Sequence, residues 1–200
     1  MPLVLATSNP GKIAELQALL AQLDIEVLPQ SRFTPIAAAE TGLSFVENAI
    51  IKARHASLAS GLPAIADDSG IEVDALHGAP GIYSARYAGD KATDKENIDR
   101  LLEELGRVGS QRDQRRARFR CVLALARNGQ MLGTFEGIAD GAIVDQPRGS
   151  HGFGYDPIFV PKGFGHTFAE LPTKLKNRIS HRAQAIHALA AKLAALKPSD

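Results

Sequence analysis

Two adjacent carboxylates, Asp67 and Asp68, follow the apolar run 62–66, and Ser69 and Gly70 come directly after them. The apolar run predicts a buried strand that ends at the carboxylates. Adjacent carboxylates repel each other unless a cation lies between them, and a hard cation such as Mg²⁺ prefers oxygen ligands. The pair therefore predicts a metal site at the carboxyl end of a strand. A turn of Asp, Ser and Gly without any chemistry is the alternative.

A second candidate site lies near the amino terminus, where an apolar strand is followed by a polar loop and a helix. In this order, backbone N–H groups and the positive end of the helix dipole face an anion, and Lys12 adds a charge suited to phosphate. The spacing of a P-loop is absent. A plain helix start is the alternative. The residues of the loop are Thr7, Ser8, Asn9, Pro10, Gly11 and Lys12.

In the loop 151–157, two glycines flank an aromatic residue, and a tyrosine and an aspartate follow. Aromatic faces stack on nucleobases with about 1–3 kcal/mol per base, and a nearby carboxylate can accept hydrogen bonds from ring N–H groups. The loop therefore predicts a base pocket, and a glycine-rich turn with core aromatics is the alternative. The candidate base-binding residues are Phe153, Gly154, Tyr155 and Asp156.

The last helix carries cations at an unfavourable end. Ser180 is a good N-cap, so His181 and Arg182 would lie in the first turn, where positive charges oppose the helix dipole. This placement indicates an anionic partner. Together the candidate sites describe a triphosphate site. No nucleophile constellation is present in the sequence, which favours metal-assisted attack by water over covalent catalysis.

Strand and helix patterns alternate along the chain, which is typical of α/β proteins. The capping box of Ser44 and Glu47 starts the helix that carries Lys52, and Glu40 lies on the linker before it. Asn128-Gly129 predicts a hairpin turn. The predicted helices cover 13–23, 44–60, 93–105 and 180–196, and the predicted strands cover 3–7, 25–28, 62–66, 71–75, 118–126 and 131–135.

The composition is that of an ordinary globular protein of 200 residues, with 44% hydrophobic and 22% charged residues. A net charge of +1 argues against a nucleic-acid or membrane surface, and we read the arginine-rich stretch 112–120 as a solvated loop that enters a strand. Cys121 is predicted to be a buried small hydrophobe. Without a long apolar segment or a signal sequence, a cytoplasmic protein is expected.

In chain order, these motifs resemble those of the inosine/xanthosine triphosphate pyrophosphatase family, whose members hydrolyse deaminated purine nucleoside triphosphates. The resemblance covers nearly the whole chain. The matching segments are 7–12, 40–42, 47–53, 66–70, 78–86, 152–157 and 179–182.

The resemblance implies a single domain over 1–200 with an α/β fold of two lobes: a long mixed central sheet flanked by helices, with an active-site cleft between the lobes. It also implies a homodimer. The implied reaction is the hydrolysis of ITP, dITP or XTP to the monophosphate and pyrophosphate with Mg²⁺, which would keep these nucleotides out of DNA and RNA.

The resemblance also assigns roles by position. Asp68 would activate the attacking water and hold the metal with Glu40 and Asp67. The loop 7–12, Lys52 and Ser69 would contact the phosphate chain. A donor at the 6-oxo group of the base would reject the 6-amino group of adenine. The residues that would hold the base are Phe153, Gly154, Tyr155, Asp156, Lys176, His181 and Arg182.

Two alternatives stay open at this point. A pyrophosphatase of the related Maf-like group would act on other modified or pyrimidine nucleotides, which a panel of substrates distinguishes. A non-catalytic nucleotide- or RNA-binding module would bind ITP without releasing pyrophosphate, although pure binding does not need three acidic residues.

Overall fold

The computed structural model describes residues 2–23, 25–109 and 114–196, in which six strands form one mixed sheet. The strands are β1 (Pro2–Leu5), β2 (Glu26–Pro29), β3 (Ala64–Val73), β4 (Arg116–Arg127), β5 (Gln130–Ile143) and β6 (Phe159–Pro161). Their order in the sheet is β2-β1-β3-β4-β5-β6. β1 pairs in parallel with β2 and β3, whereas β5 and β6 are antiparallel.

Three of the helices begin at residues whose side chains cap them. Asn9 and Ser44 each accept a hydrogen bond from a backbone N–H three residues on, and Thr93 forms a full capping box with Glu96. The predicted α/β class, with a mixed sheet and flanking helices, is confirmed. The helices are α1 (Pro10–Leu20), α2 (Phe45–Ser60), α3 (Asp94–Arg107), α4 (Thr173–Ile179) and α5 (His181–Ala194). Within the described ranges, none is long and apolar enough to cross a membrane.

β3 corrects the prediction of two separate strands at 62–66 and 71–75. It is one strand of ten residues, so Asp67 and Asp68 lie in its middle rather than at its end. Successive side chains of a strand point to opposite faces, and each carboxylate has cations of its own. β3 can therefore include both Asp67 and Asp68, because their carboxylates do not lie side by side.

The hairpin predicted at Asn128-Gly129 is present, and its two strands are longer than expected. Two arginines of the basic stretch are paired with acids: Arg115 lies 2.7 Å from Asp145 and Arg118 lies 2.5 Å from Asp74. Residues 112 and 113 of that stretch lie outside the described residues. Cys121 is buried, as predicted.

The chain divides into two compact units, each with its own apolar core. The first unit comprises the described residues within 1–68, 121–137 and 182–200, and the second those within 69–120 and 138–181. The core of the first unit includes Leu5, Leu16, Leu20, Leu123 and Leu189. The core of the second unit includes Ile71, Leu101, Phe119, Phe159 and Phe168.

Candidate active site

The Lys52 ammonium lies at the centre of a cluster of oxygens in the first unit. Its Nζ atom is 2.8 Å from Glu40 Oε1, from Asp68 Oδ1 and from the backbone oxygen of Asp67. Burial alone would lower the pKa of Lys52, but Asp68 and Glu40 outweigh it and raise the pKa. Lys52 is therefore protonated at neutral pH, and its charge holds two carboxylates from separate segments of the chain.

Asp68 presents one carboxylate oxygen to Lys52 and has a second that is buried. Among the residues that the structure describes, no hydrogen-bond partner is present for this Oδ2 atom. Burial raises the pKa of Asp68, and the attraction of Lys52 and Lys12 offsets only part of that rise. A buried acceptor without a partner is costly, so Oδ2 is suited to a proton, water or metal ion that the chain does not supply. Ser69, the next residue of β3, is half-buried.

Asp67 belongs to a different cluster, in which its carboxylate contacts two cations. Its Oδ1 atom lies 2.6 Å from Lys12 Nζ, and its Oδ2 atom accepts a hydrogen bond from Arg182 Nε at 2.8 Å. Burial would raise the pKa of Asp67, but Arg182 and Lys12 outweigh it and hold the pKa well below its usual range. Asp67 is thus a buried group that is ionised at neutral pH and fixes both cations.

Two further residues contact this ion-pair cluster, and sequence reasoning missed them. Glu15 accepts a hydrogen bond from Arg182 Nη1, and Cys121 Sγ donates to Asp67 Oδ2 at 3.3 Å. Burial raises the pKa of the Cys121 thiol well above its usual value, and the Asp67 charge adds to the rise. Glu15 follows Lys12 at helical spacing, which is a local signal that could have found it. The Cys121 contact leaves no local signal in the sequence.

The predicted loop 7–12 follows β1, and its last three residues form the start of α1 rather than part of a loop. The segment is shaped by its own side chains. Asn9 Oδ1 accepts a hydrogen bond from the Lys12 backbone N–H at 3.0 Å, and the Asn9 backbone N–H donates to Thr7 Oγ1 at 3.2 Å. Lys12 therefore lies in the first turn of α1, next to the helix amino terminus, and the binding of an anion there stays a prediction. The other residues of the loop are Ser8, Pro10 and Gly11.

In the second unit, the loop 151–157 is built around the buried carboxylate of Asp156. Its Oδ2 atom accepts hydrogen bonds from the Phe153 backbone N–H at 3.0 Å and from Lys176 Nζ. The Lys176 ammonium also lies 5.3 Å from the centroid of the Phe153 ring. Phe153 is only partly buried. The structure thus brings together an aromatic face, an ammonium group and a carboxylate, and their use as a base pocket stays a prediction.

Two other residues predicted to hold the base are buried in the second unit. Tyr155 donates its hydroxyl hydrogen to the Ser84 carbonyl oxygen at 2.7 Å. The His181 ring stacks on Phe119, with 4.7 Å between the centroids. Their contact with a base stays a prediction, and their observed role is to pack the elements around the loop. Contact of Arg182 with a base also stays a prediction, since its guanidinium is buried against Asp67.

The predicted metal ligands do not form one cluster. No group of three or more His, Cys, Asp or Glu side chains suited to a metal occurs in the described part of the chain. Asp68 and Glu40 share Lys52, whereas the Asp67 carboxylate contacts Lys12 and Arg182. The geometry therefore offers two carboxylates for a cation, and a role for Asp67 as a ligand stays a prediction.

Comparison with known proteins identifies a family model and relatives that match almost the whole chain. The model of the Ham1 family matches residues 3–192. A dITP/XTP pyrophosphatase of Methylococcus capsulatus is 54% identical over 196 residues, which is 97% of this chain and 96% of the relative. A dITP/XTP pyrophosphatase of Yersinia pseudotuberculosis is 52% identical over 92% of this chain and 93% of its own.

Solved structures give the same result for the fold. A Ham1 protein from Coxiella burnetii superposes with a TM-score of 0.88 at 47% identity, covering 98% of this chain and 99% of that protein. The match of the family model over almost the whole sequence and the high identity to the relatives lead to one conclusion: this chain belongs to the Ham1 family.

Proposed function

We propose that the chain hydrolyses the deaminated purine nucleoside triphosphates ITP, dITP and XTP to the nucleoside monophosphate and pyrophosphate. Its family membership and the relatives named dITP/XTP pyrophosphatase support this proposal. Hydrolysis of these triphosphates would remove them from the precursors of DNA and RNA before a polymerase could insert them.

The observation that carries the proposal is the buried Oδ2 atom of Asp68 next to the Lys52 ion pair. A base whose pKa is raised towards the working pH takes a proton from water more readily than an ordinary carboxylate. Lys52 occupies Oδ1, so Oδ2 is the atom of Asp68 that would receive the proton. As the water oxygen bonds to phosphorus, the bond between the α- and β-phosphates breaks and pyrophosphate leaves.

The donor set fits Mg²⁺, which we propose as the cofactor. Mg²⁺ is usually held by one or two carboxylates together with substrate phosphate oxygens and water. The Glu40 side chain, which is 34% exposed, and the Asp68 carboxylate would hold it here. When bound, the ion would neutralise charge on the triphosphate during the reaction. The Lys52 ammonium keeps both carboxylates in place before any ligand arrives.

Phosphate binding is assigned to the loop 7–12, Lys52 and Ser69, which would supply the amino terminus of α1 and the positive charges of Lys12 and Lys52. Base recognition is assigned to the loop 151–157 and Lys176. The Phe153 face would stack on the base, and the Lys176 ammonium would donate to the 6-oxo group. Adenine carries a 6-amino donor at this position, and two donors facing each other leave both unpaired, which weakens binding.

A panel of substrates tests the proposal. Pyrophosphate release would be measured from ITP, XTP, GTP, ATP, dUTP and TTP, each with Mg²⁺ and with a chelator. Release from ITP and XTP that requires Mg²⁺ is the expected result. Release led by dUTP or TTP would instead indicate a Maf-like specificity and contradict the assigned base pocket. Binding of ITP without release of pyrophosphate would indicate a binding module.

We also propose that the chain acts in the cytoplasm, where nucleoside triphosphates are consumed, and that it is a homodimer. Three large apolar side chains of the described surface would be open to contact with a partner subunit: Leu43 is 86% exposed, Ile36 68% and Leu58 67%. Light scattering after size-exclusion chromatography tests the dimer, and a mass of about 21.3 kDa, that of one chain, would contradict it.

A further inference from the structure

Asp94, the first residue of α3, makes a contact that its position in the helix does not require. The N-terminus of α3 is already capped, because Thr93 and Glu96 form a complete capping box. The Asp94 carboxylate instead accepts a hydrogen bond from the backbone N–H of Gly154 at 2.7 Å. The two residues are 60 positions apart in the sequence. The carboxylate is thus used to hold the loop 151–157.

The peptide that Asp94 holds is the one that joins Phe153 to Gly154. Gly154 has a φ of +60°, in the left-handed region that other residues adopt at a cost. A hydrogen bond to an ionised acceptor is stronger than one between neutral groups. Because the plane of this peptide fixes the Phe153 carbonyl and the direction of the chain, it also limits where the Phe153 ring can lie.

The neighbouring residues are fixed by other contacts, which isolates the part that Asp94 plays. The Tyr155 hydroxyl is bound to Ser84, and Asp156 is bound to Lys176 and to the Phe153 backbone N–H. These contacts hold both sides of the 153–154 peptide through side chains of the loop itself. Asp94 is the contact that reaches the peptide from α3.

We infer that Asp94 is a positioning residue that presets the Phe153 ring for stacking on the purine base. The inference rests on the proposed function, in which the loop 151–157 receives the base. A loop that is ordered before binding loses less conformational entropy when the ligand arrives, so the bond improves affinity for the base without taking part in the chemistry.

Three variants test the inference: Asp94→Ala, Asp94→Asn and Thr93→Ala. Asp94→Ala removes the acceptor and should raise KM for ITP about three- to tenfold, the equivalent of one hydrogen bond, with kcat within about twofold. Binding of IMP should weaken by the same factor, whereas binding of pyrophosphate, which lacks a base, should not change. Asp94→Asn keeps an acceptor oxygen and should retain most of the affinity for ITP and IMP.

Thr93→Ala is the matched control, because it weakens the cap of α3 and leaves Asp94 in place. Its KM for ITP should equal that of the unaltered chain. An unchanged KM in Asp94→Ala, or the same rise in Thr93→Ala, would overturn the inference and leave the proposed function standing. Failure of the unaltered chain to hydrolyse ITP or bind IMP would overturn the proposed function, and the inference with it.

Discussion

Asp67 and Asp68 are neighbours, but their replacement by Asn should have different effects: Asp67→Asn should lower the stability of the fold, and Asp68→Asn should remove the activity. Asp67→Asn removes the anion from a buried cluster, in which Asp67 and Arg182 are 0% and 2% exposed and Lys12 is 14% exposed. Removing one partner of a buried pair costs about 3–5 kcal/mol. At about 2–4 °C per kcal/mol for a chain of this length, the Tm should fall by about 6–20 °C.

Asp68→Asn should leave the fold nearly as stable and remove the activity. Asn keeps an oxygen for Lys52 and the same shape, and it removes a carboxylate whose pKa is raised mainly by burial. The proton acceptor is lost, so kcat should fall by a factor of about 10²–10⁴.

The assays are thermal unfolding followed by circular dichroism and pyrophosphate release from ITP with saturating Mg²⁺. Asp74→Asn is the control, because Asp74 forms an exposed pair with Arg118 in the other unit. An Asp68→Asn protein with a kcat within tenfold of the unaltered chain would refute the assigned base. A Tm of Asp67→Asn within 2 °C of the unaltered chain, less than about 1 kcal/mol, would refute the role given to the ion-pair cluster.

Because the pKa of Asp67 is low in the folded state, its charge stabilises the fold fully above the unfolded pKa of about 3.9, and this stability is lost as pH falls through the folded pKa. Asp67→Asn should therefore lose less unfolding free energy on acidification than the unaltered chain. Unfolding free energies measured over acidic pH in the presence of a chelator would test this. Gly152→Ala would place a Cβ 2.0 Å from Asp156 Oδ2 and should raise KM for ITP more than tenfold; an unchanged KM would separate this loop from base binding. Lys52→Met leaves Asp68 without its ammonium and should lower kcat at least tenfold, and steady-state kinetics with ITP would show whether it does.

Local signals in the sequence were sufficient for most elements. The caps at Ser44 and Thr93 and the Asn128-Gly129 turn are properties of a few consecutive residues, and the structure has helices and a hairpin there. The prediction is wrong at Asp67 and Asp68, because two adjacent charges in the sequence indicate the end of a strand and β3 continues through them. Their cations come from distant segments, so the reason that β3 continues is not visible nearby.

In the candidate site, too, the features that depend on a few residue types were predictable and the contacts between distant segments were not. The residue types at the Asp68 and Phe153 positions could be recognised from the sequence, because metal chemistry and base stacking each need few kinds of side chain. The hydrogen-bond partners of the site residues could not be predicted. The bond of Gly154 to Asp94 and that of Cys121 to Asp67 depend on tertiary packing between segments far apart in the chain.

The buried thiol of Cys121 gives this protein an internal reporter of its own opening. It is the single cysteine of the chain, it is fully buried, and its raised pKa keeps it in the unreactive thiol form. A thiol reagent can therefore label the folded chain only after the first unit opens. The rate of labelling then measures how often that unit opens. A ligand that binds to the first unit should slow the labelling, so the labelling rate of one sulfur atom can follow ligand binding without any turnover.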